Sequence, residues 1–209
     1  MGGLSAAELD AVTIDAYGTL VTLVDPVPAL TAALAERGIE RDREAIVAGF
    51  RTEAAHYSSH SWEGHDEPGL RRLQRDCAKV FLAALNAEID ADEFAPVYAG
   101  AMQFDVLPGV TEGLLRLRGL GLDLAVVGNW DLTLRARLDE TGLAPFFHAV
   151  LHAAHKPKPD GLLAALSQLG VEPPRALHIG DDEVDEQAAR AAGMHFAPAP
   201  FAAAVATLT

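Results

Sequence analysis

The feature that most constrains this chain is a gap between its first strand and the rest. A short run, Ala11–Ile14, ends at Asp15 and is followed by Tyr17-Gly18-Thr19, the pattern of a buried strand running into a tight turn. The pattern then turns helical and predicts no strand between residues 25 and 105. At Pro108-Gly109 the regime changes, and apolar strands alternate with helices from there on.

Helices are expected over 28–37, 43–57, about 70–85 and 91–102. The third is marked by Leu70, Leu73, Cys77, Val80, Phe81 and Leu85 on one face. After the break, helical patterns cover 110–118, 132–141, 161–169 and 184–192. Strand patterns cover 122–127, 149–151 and 176–179, while 198–209 is Ala-rich and poorly specified. Alternation with nearly continuous apolar strands predicts an α/β fold with a doubly wound parallel sheet covered on both faces. The expected organisation is a core of residues 1–22 and 106–209 carrying an inserted all-helical domain at 23–105. Ligands of such sheets sit at the carboxyl ends of the strands. The insertion leaves just after Asp15, so it is expected to act as a lid there.

Composition narrows the function. The formal charge of the 209 residues is −14, split evenly between 22–105 and the remainder. Such a surface repels nucleic acid, so no nucleic-acid partner is expected. An anionic small-molecule substrate would need local positive charge. Lysine is scarce: Lys79, Lys156 and Lys158 stand against 13 arginines. A lone cysteine, Cys77, fits a reducing cytoplasm, and the sequence shows neither a membrane-spanning run nor a signal-peptide pattern. A homodimer is left open, with no residue pattern to argue it.

Four spots fall just past expected strands: Asp15 to Thr19, Gly128-Asn129, Lys156, and Gly180-Asp181-Asp182-Glu183-Val184-Asp185. A carboxylate can act as nucleophile and split a hydrolysis into two easier steps. A neighbouring lysine keeps it ionised, and further carboxylates suit Mg²⁺, which prefers oxygen ligands.

The order and spacing of these four motifs, with Leu107-Pro108-Gly109-Val110 re-entering the core, resembles the haloacid dehalogenase superfamily in its helical-cap branch (subfamily I). The resemblance implies a Rossmann-like core with a cap domain and a hydrolase using an aspartate nucleophile. By that likeness Asp15 would be the nucleophile, Lys156 the lysine beside it, and Asp15, Asp181, Asp185 and the Tyr17 carbonyl the Mg²⁺ ligands. Gly128 and Asn129, at the second motif, would face the substrate; apart from the likeness, Thr19 is a further candidate, and Trp130 with Trp62 could form an apolar wall. The leading implication is Mg²⁺-dependent hydrolysis of a small phosphomonoester.

Two departures open alternatives. The family's phosphatases carry a second aspartate two residues after the nucleophile, as general acid and base; here that position is Tyr17. Their second motif begins with Ser or Thr; here it is Gly128, whose N–H could serve if a helix starts nearby. An Asp-Ala-Tyr-Gly-Thr motif looks like the 2-haloacid dehalogenases, which need no metal. Those enzymes, however, lack the acidic fourth motif and place a tyrosine where this chain has Leu162. A third alternative is a weakly active or non-catalytic binding member. Plainer readings stand beside the sharp ones: Asp182 and Glu183 as helix caps, His178 and Cys77 as buried packing, His56 and His60 as cap surface, Trp62 and Trp130 as core.

Overall fold

The computed structural model describes residues 4–209. The chain divides into two compact units: one holds the residues up to Thr22 together with Phe104–Thr209, the other Leu23–Gln103.

In the first unit the strands are β1 (Ala11–Ile14), β2 (Val21–Leu23, at the boundary), β3 (Phe104–Val106), β4 (Asp123–Val127), β5 (Ala149–Leu151), β6 (Ala176–Gly180) and β7 (His195–Pro198). Five form a parallel sheet in the order β5-β4-β1-β6-β7, and β2 and β3 pair in a separate two-stranded sheet. The α/β class and the doubly wound sheet are as the alternation predicts. The four residues of β1 and the five of β6 are buried throughout, because helices cover both faces. One apolar layer is built on Val12, Ile14, Leu124, Val126, Leu177 and Ile179, the other on Ala11, Ala125, Val127, Ala176 and the helix residues Leu162, Ala165 and Ala188. These sets alternate along each strand, so every strand feeds both layers.

The helices of this unit are α5 (Val110–Gly119), α6 (Leu134–Glu140), α7 (Asp160–Leu169), α8 (Glu183–Ala192) and α9 (Phe201–Ala206). The Ala-rich end, 198–209, unspecified by pattern, follows β7 and forms α9. Phe201, Val205 and Leu208 bury there against the core.

The second unit is helical: α1 (Val27–Ala35), α2 (Arg43–His60), α3 (Glu67–Ala84) and α4 (Ala91–Ala101). Its core joins Leu30, Leu34, Ile46, Leu73, Cys77, Phe81, Phe94 and Tyr98. Asp42, Asp66 and Asp90 cap α2, α3 and α4 by accepting from backbone N–H groups in the first turn. The expectation of no strand within 25–105 is corrected at its edge, where β3 begins at Phe104. Its three residues, Phe-Asp-Val, interrupt any apolar run with Asp105 and leave no strand signal. No helix among the described residues is long and apolar enough to cross a membrane.

One carboxylate is buried in the helical unit. Glu53 of α2 is 5% exposed, and the hydroxyl of Tyr98 on α4 donates to its Oε2 at 2.7 Å. Burial pushes the Glu53 carboxyl up from its ordinary range, against the Cys77 and Tyr98 hydrogen bonds that oppose it. Replacing Tyr98 with Phe takes away a donor to this carboxylate and should destabilise the protein by about 1.5–3 kcal/mol. Urea denaturation of the full chain measures this; an unchanged midpoint would show that Glu53 draws nothing from Tyr98.

Candidate active site

Strand order reverses at β1, which has β4 on one side and β6 on the other. A crevice opens at such a point outside the carboxyl ends of the strands. Asp15 is the first residue past β1, and its N–H remains tied to the Ile179 carbonyl at 2.8 Å. Its side chain is thus held at the sheet's centre, 8% exposed.

Lys156 reaches Asp15 from β5, which lies beyond β4. The loop after β5 doubles back along the end of β4: Ala153 N–H donates to the Trp130 carbonyl and Ala154 N–H to that of Gly128. Asn129 completes the clamp. Its Oδ1 accepts from the Lys156 N–H at 2.8 Å and its Nδ2 donates to the Lys156 carbonyl at 2.9 Å. Ala153 and His155 in this loop have φ of 49° and 56°, a costly region for residues with a Cβ. So held, the ammonium of Lys156 lies 2.5 Å from Asp15 Oδ1 and 2.5 Å from Asp185 Oδ1.

The acidic pair comes from β6 and α8. Asp185 is buried in the first turn of α8, and its Oδ2 accepts from the N–H of Asp182, which stands at the helix N-cap, at 3.1 Å. Its Oδ1 also faces His178 Nε2 at 3.2 Å. Asp181 is more exposed, and the Thr19 hydroxyl donates to its Oδ1 at 3.3 Å. Two glycines leave room for these carboxylates. A Cβ on Gly18, where φ is +80°, would meet Asp181 Oδ2 at 2.2 Å, and one on Gly180 would meet the Asp185 carboxyl at 2.3 Å.

Burial pushes the Asp15 carboxyl up to about 6, with the Lys156 ammonium opposing and the Asp185 charge reinforcing. Burial would lift Asp185 as well, but the His178 hydrogen bond and Lys156 outweigh it and hold that carboxyl down to about 2. Asp181 is raised by burial and by the Asp185 charge. Burial works against a charged Lys156, yet its two carboxylates win and raise its pKa; burial lowers that of His178. With all three carboxylates ionised, one ammonium and a neutral imidazole leave the cluster at net −2.

Ligand-capable oxygens of Asp15, Asp181 and Asp185 lie within 4.8 Å of one another. All are hard carboxylate donors, a set that suits Mg²⁺ and fits its charge. Other residues picked out in the sequence fall differently. Tyr17 is 53% exposed at the turn, with its ring toward solvent. The Gly128 N–H donates to the Leu151 carbonyl at 3.0 Å and α6 starts only at Leu134, so the suggested helix-start anion site at Gly128 does not form. Trp130, read both as a substrate wall and as core, is turned into the core. It is 7% exposed, packs on Phe104 at 4.9 Å between centroids, and its Nε1–H donates to Thr133. Asn129 faces solvent, but its amide is engaged by the Lys156 backbone at both ends. The sequence reading expected His178 to be buried but missed this clamp and the pairing of His178 with Thr13. The available signal was a polar residue inside each of two strands otherwise made for burial.

A sheet with an aspartate at its switch point, a lysine against it and an acidic pair across from it makes a candidate hydrolase site. Residues 9–193 match the family described as haloacid dehalogenase-like hydrolase, and the chain belongs to that family. It is 33% identical over 203 residues to haloacid dehalogenase-like hydrolase domain-containing protein 3 of Homo sapiens, covering 90% of this chain and 80% of that one. It is 33% identical over 190 residues to phosphoglycolate phosphatase 1 of Pseudomonas aeruginosa, covering 84% of this chain. The match spans 65% of that phosphatase, so the chain covers just under two thirds of that relative's length. In fold it is similar to the L-2-haloacid dehalogenase of Xanthobacter autotrophicus, with a TM-score of 0.70 and 23% identity over 93% of this chain and 80% of that one.

Two predictions come from this geometry. Gly18→Ala combines a positive φ with a Cβ driven into Asp181, and should cost about 1–3 kcal/mol of stability. Thermal unfolding tests it; an unchanged midpoint would mean the turn relaxes without moving Asp181. The second concerns pH. Because the Asp15 value in the folded chain lies above the ordinary 3.8, its contribution to stability is complete below that value and is lost as pH rises through about 6. Asp185 works in the opposite sense, and its contribution is lost only as pH falls through about 2. In metal-free protein the Asp15 carboxyl carbon should therefore titrate by NMR with a midpoint near 6; a midpoint at the ordinary value would refute the desolvation argument.

Proposed function

We propose that this hydrolase cleaves a phosphomonoester of a small anionic metabolite, with Asp15 as nucleophile and Mg²⁺ held by Asp15, Asp181 and Asp185. The observation that carries the reading is the charge of the cluster. Three carboxylates converge on one ammonium, and at net −2 they repel any anion. One divalent cation brings the sum to zero and holds Asp15 ionised despite its burial. When bound, Mg²⁺ supplies charge neutralisation to phosphoryl oxygens. A 2-haloacid, itself a carboxylate, would meet the bare negative cluster if no metal took part. In addition Leu162, where the dehalogenases carry tyrosine, is fully buried.

The chain's own residues divide the work as follows. Asp15 attacks phosphorus with its free oxygen, the alkoxide leaves, and water then cleaves the phosphoaspartate to release phosphate. Lys156 has three N–H groups; two answer Asp15 and Asp185, which leaves one for a phosphoryl oxygen. Asn129 holds that lysine in place through its backbone. Relatives named phosphoglycolate phosphatases support a small phosphorylated acid as substrate, and phosphoglycolate is the first metabolite to assay. The single buried cysteine fits a cytoplasmic enzyme.

Two observations favour the alternative of a weakly active member. The ring of Tyr17 stands in place of a tuned carboxylic acid, and the Gly128 N–H is spent within the sheet. An aryl phosphate separates the readings, since its leaving group departs without a proton. Wild type should release phosphate from it with Mg²⁺ and lose that activity in EDTA, and Asp15→Asn should lose at least about 10³-fold in kcat. Halide release from 2-haloacids in EDTA, with no phosphate release in Mg²⁺, would overturn the proposal.

A further inference from the structure

Two polar side chains inside the sheet are not used by the reaction above. Thr13 of β1 and His178 of β6 are paired in register on adjacent strands, and both are fully buried. Thr13 Oγ1 lies 2.8 Å from His178 Nδ1, and the Thr13 carbonyl lies 3.2 Å from the same nitrogen. On the other side of the ring, Nε2 lies 3.2 Å from Asp185 Oδ1. Buried polar groups without a partner are costly, so the proton arrangement must satisfy all of them.

A neutral imidazole has one N–H. On Nδ1, that proton would answer the Thr13 carbonyl and leave a bare Nε2 lone pair against the Asp185 carboxylate. On Nε2, it answers the carboxylate, and the Thr13 hydroxyl donates to Nδ1. Only the second arrangement pairs every donor with an acceptor.

Asp185 then receives three donors on two oxygens. Lys156 and His178 bind Oδ1, and the Asp182 N–H binds Oδ2. Without the imidazole, nothing from within the sheet holds Oδ1. The carboxylate can then turn about its bond to Cβ and carry the ammonium off Asp15.

We propose that Thr13 and His178 are positioning residues of this hydrolase: the Thr13 hydroxyl holds His178 in its Nε2–H form, and that N–H fixes Asp185 so that Lys156 stays between Asp185 and Asp15. The effect on turnover rests on the hydrolytic reading above; the hydrogen-bonded chain itself does not.

The experiment therefore has two arms on the full chain. In metal-free protein, ¹⁵N resonances of labelled histidine should show His178 protonated at Nε2 with a bare Nδ1, and Thr13→Val should shift the proton toward Nδ1. A wild-type ring protonated on Nδ1, alone or together with Nε2, overturns the proposal whatever the activity. In the kinetic arm, His178→Leu should lower kcat for an aryl phosphate about 10- to 100-fold with KM unchanged. His178→Gln, whose amide N–H can stand where the Nε2–H stood, should recover most of the loss. Wild-type kcat in His178→Leu overturns the proposal, and so does a His178→Gln no better than His178→Leu. If His178→Leu does not fold, Thr13→Val carries this arm, with a smaller fall in kcat expected and no fall overturning the proposal. If wild type releases no phosphate, the phosphatase reading fails alone, and the histidine resonances still decide whether Thr13 and His178 hold Asp185.

Discussion

The ammonium of Lys156 lies 2.5 Å from a carboxylate on each side, Asp15 and Asp185, and the three side chains are 2–11% exposed. Ions so far from water are tolerable only while each has its partners. Removing one member of such a buried group typically costs about 3–5 kcal/mol, because the others are left uncompensated. The surrounding structure is arranged to prevent that. Asn129 grips the lysine by its backbone, the loop after β5 runs back along β4 to deliver it, and α8 begins at the point that puts Asp185 within reach. These contributions come from separate segments and converge at β1, where the strand order reverses.

The same group accounts for a mismatch between the protein's overall charge and its chemistry. At −14 the molecule offers an anionic metabolite no general attraction, and its one buried ammonium is already shared by two acids. Attraction has to be created inside the site, where low dielectric magnifies each charge. On the phosphatase reading proposed above, a divalent cation among the three carboxylates would accomplish this locally and leave the surface acidic, so that binding would rely on contact and not on long-range steering.

Much of the architecture is legible in the sequence, for a physical reason. Strands covered on both faces must be apolar throughout, so 122–127 and 176–179 announce themselves, and β4 and β6 fall there within a residue of the expected limits. The family is legible because four motifs recur in order. Less buried elements are not legible: β2 and β3, three residues each with a polar one in the middle, and β7, only partly covered, whereas β5, equally short but Ala-Val-Leu, is read at 149–151. Side-chain roles at the site divide in the same way. The likeness of spacing brings Asp15, Lys156, Asp181 and Asp185 together, but it says nothing of which way Trp130 turns or whether the Gly128 N–H is already taken. Those depend on pairing with Phe104 and Leu151, residues more than 20 positions distant, and no local pattern encodes such contacts. The Asn129 clamp was hidden for the same reason.

The discontinuity of the core also bears on how the chain acquires its shape. Thr13 lies opposite His178, 165 positions later, so the middle of the sheet cannot be completed until nearly all the chain is available. The helical unit, by contrast, is one continuous stretch from Leu23 to Gln103, with capped helices packed on their immediate successors. Contacts near in sequence form early, and distant pairings wait for the closure of long loops. During synthesis the helical unit is therefore ready first, while β1 is held back with its apolar faces bare. Within this sheet the central strand is made before its neighbours and is among the last to be paired, and in that interval the chain is most exposed to misassociation and to capture by chaperones.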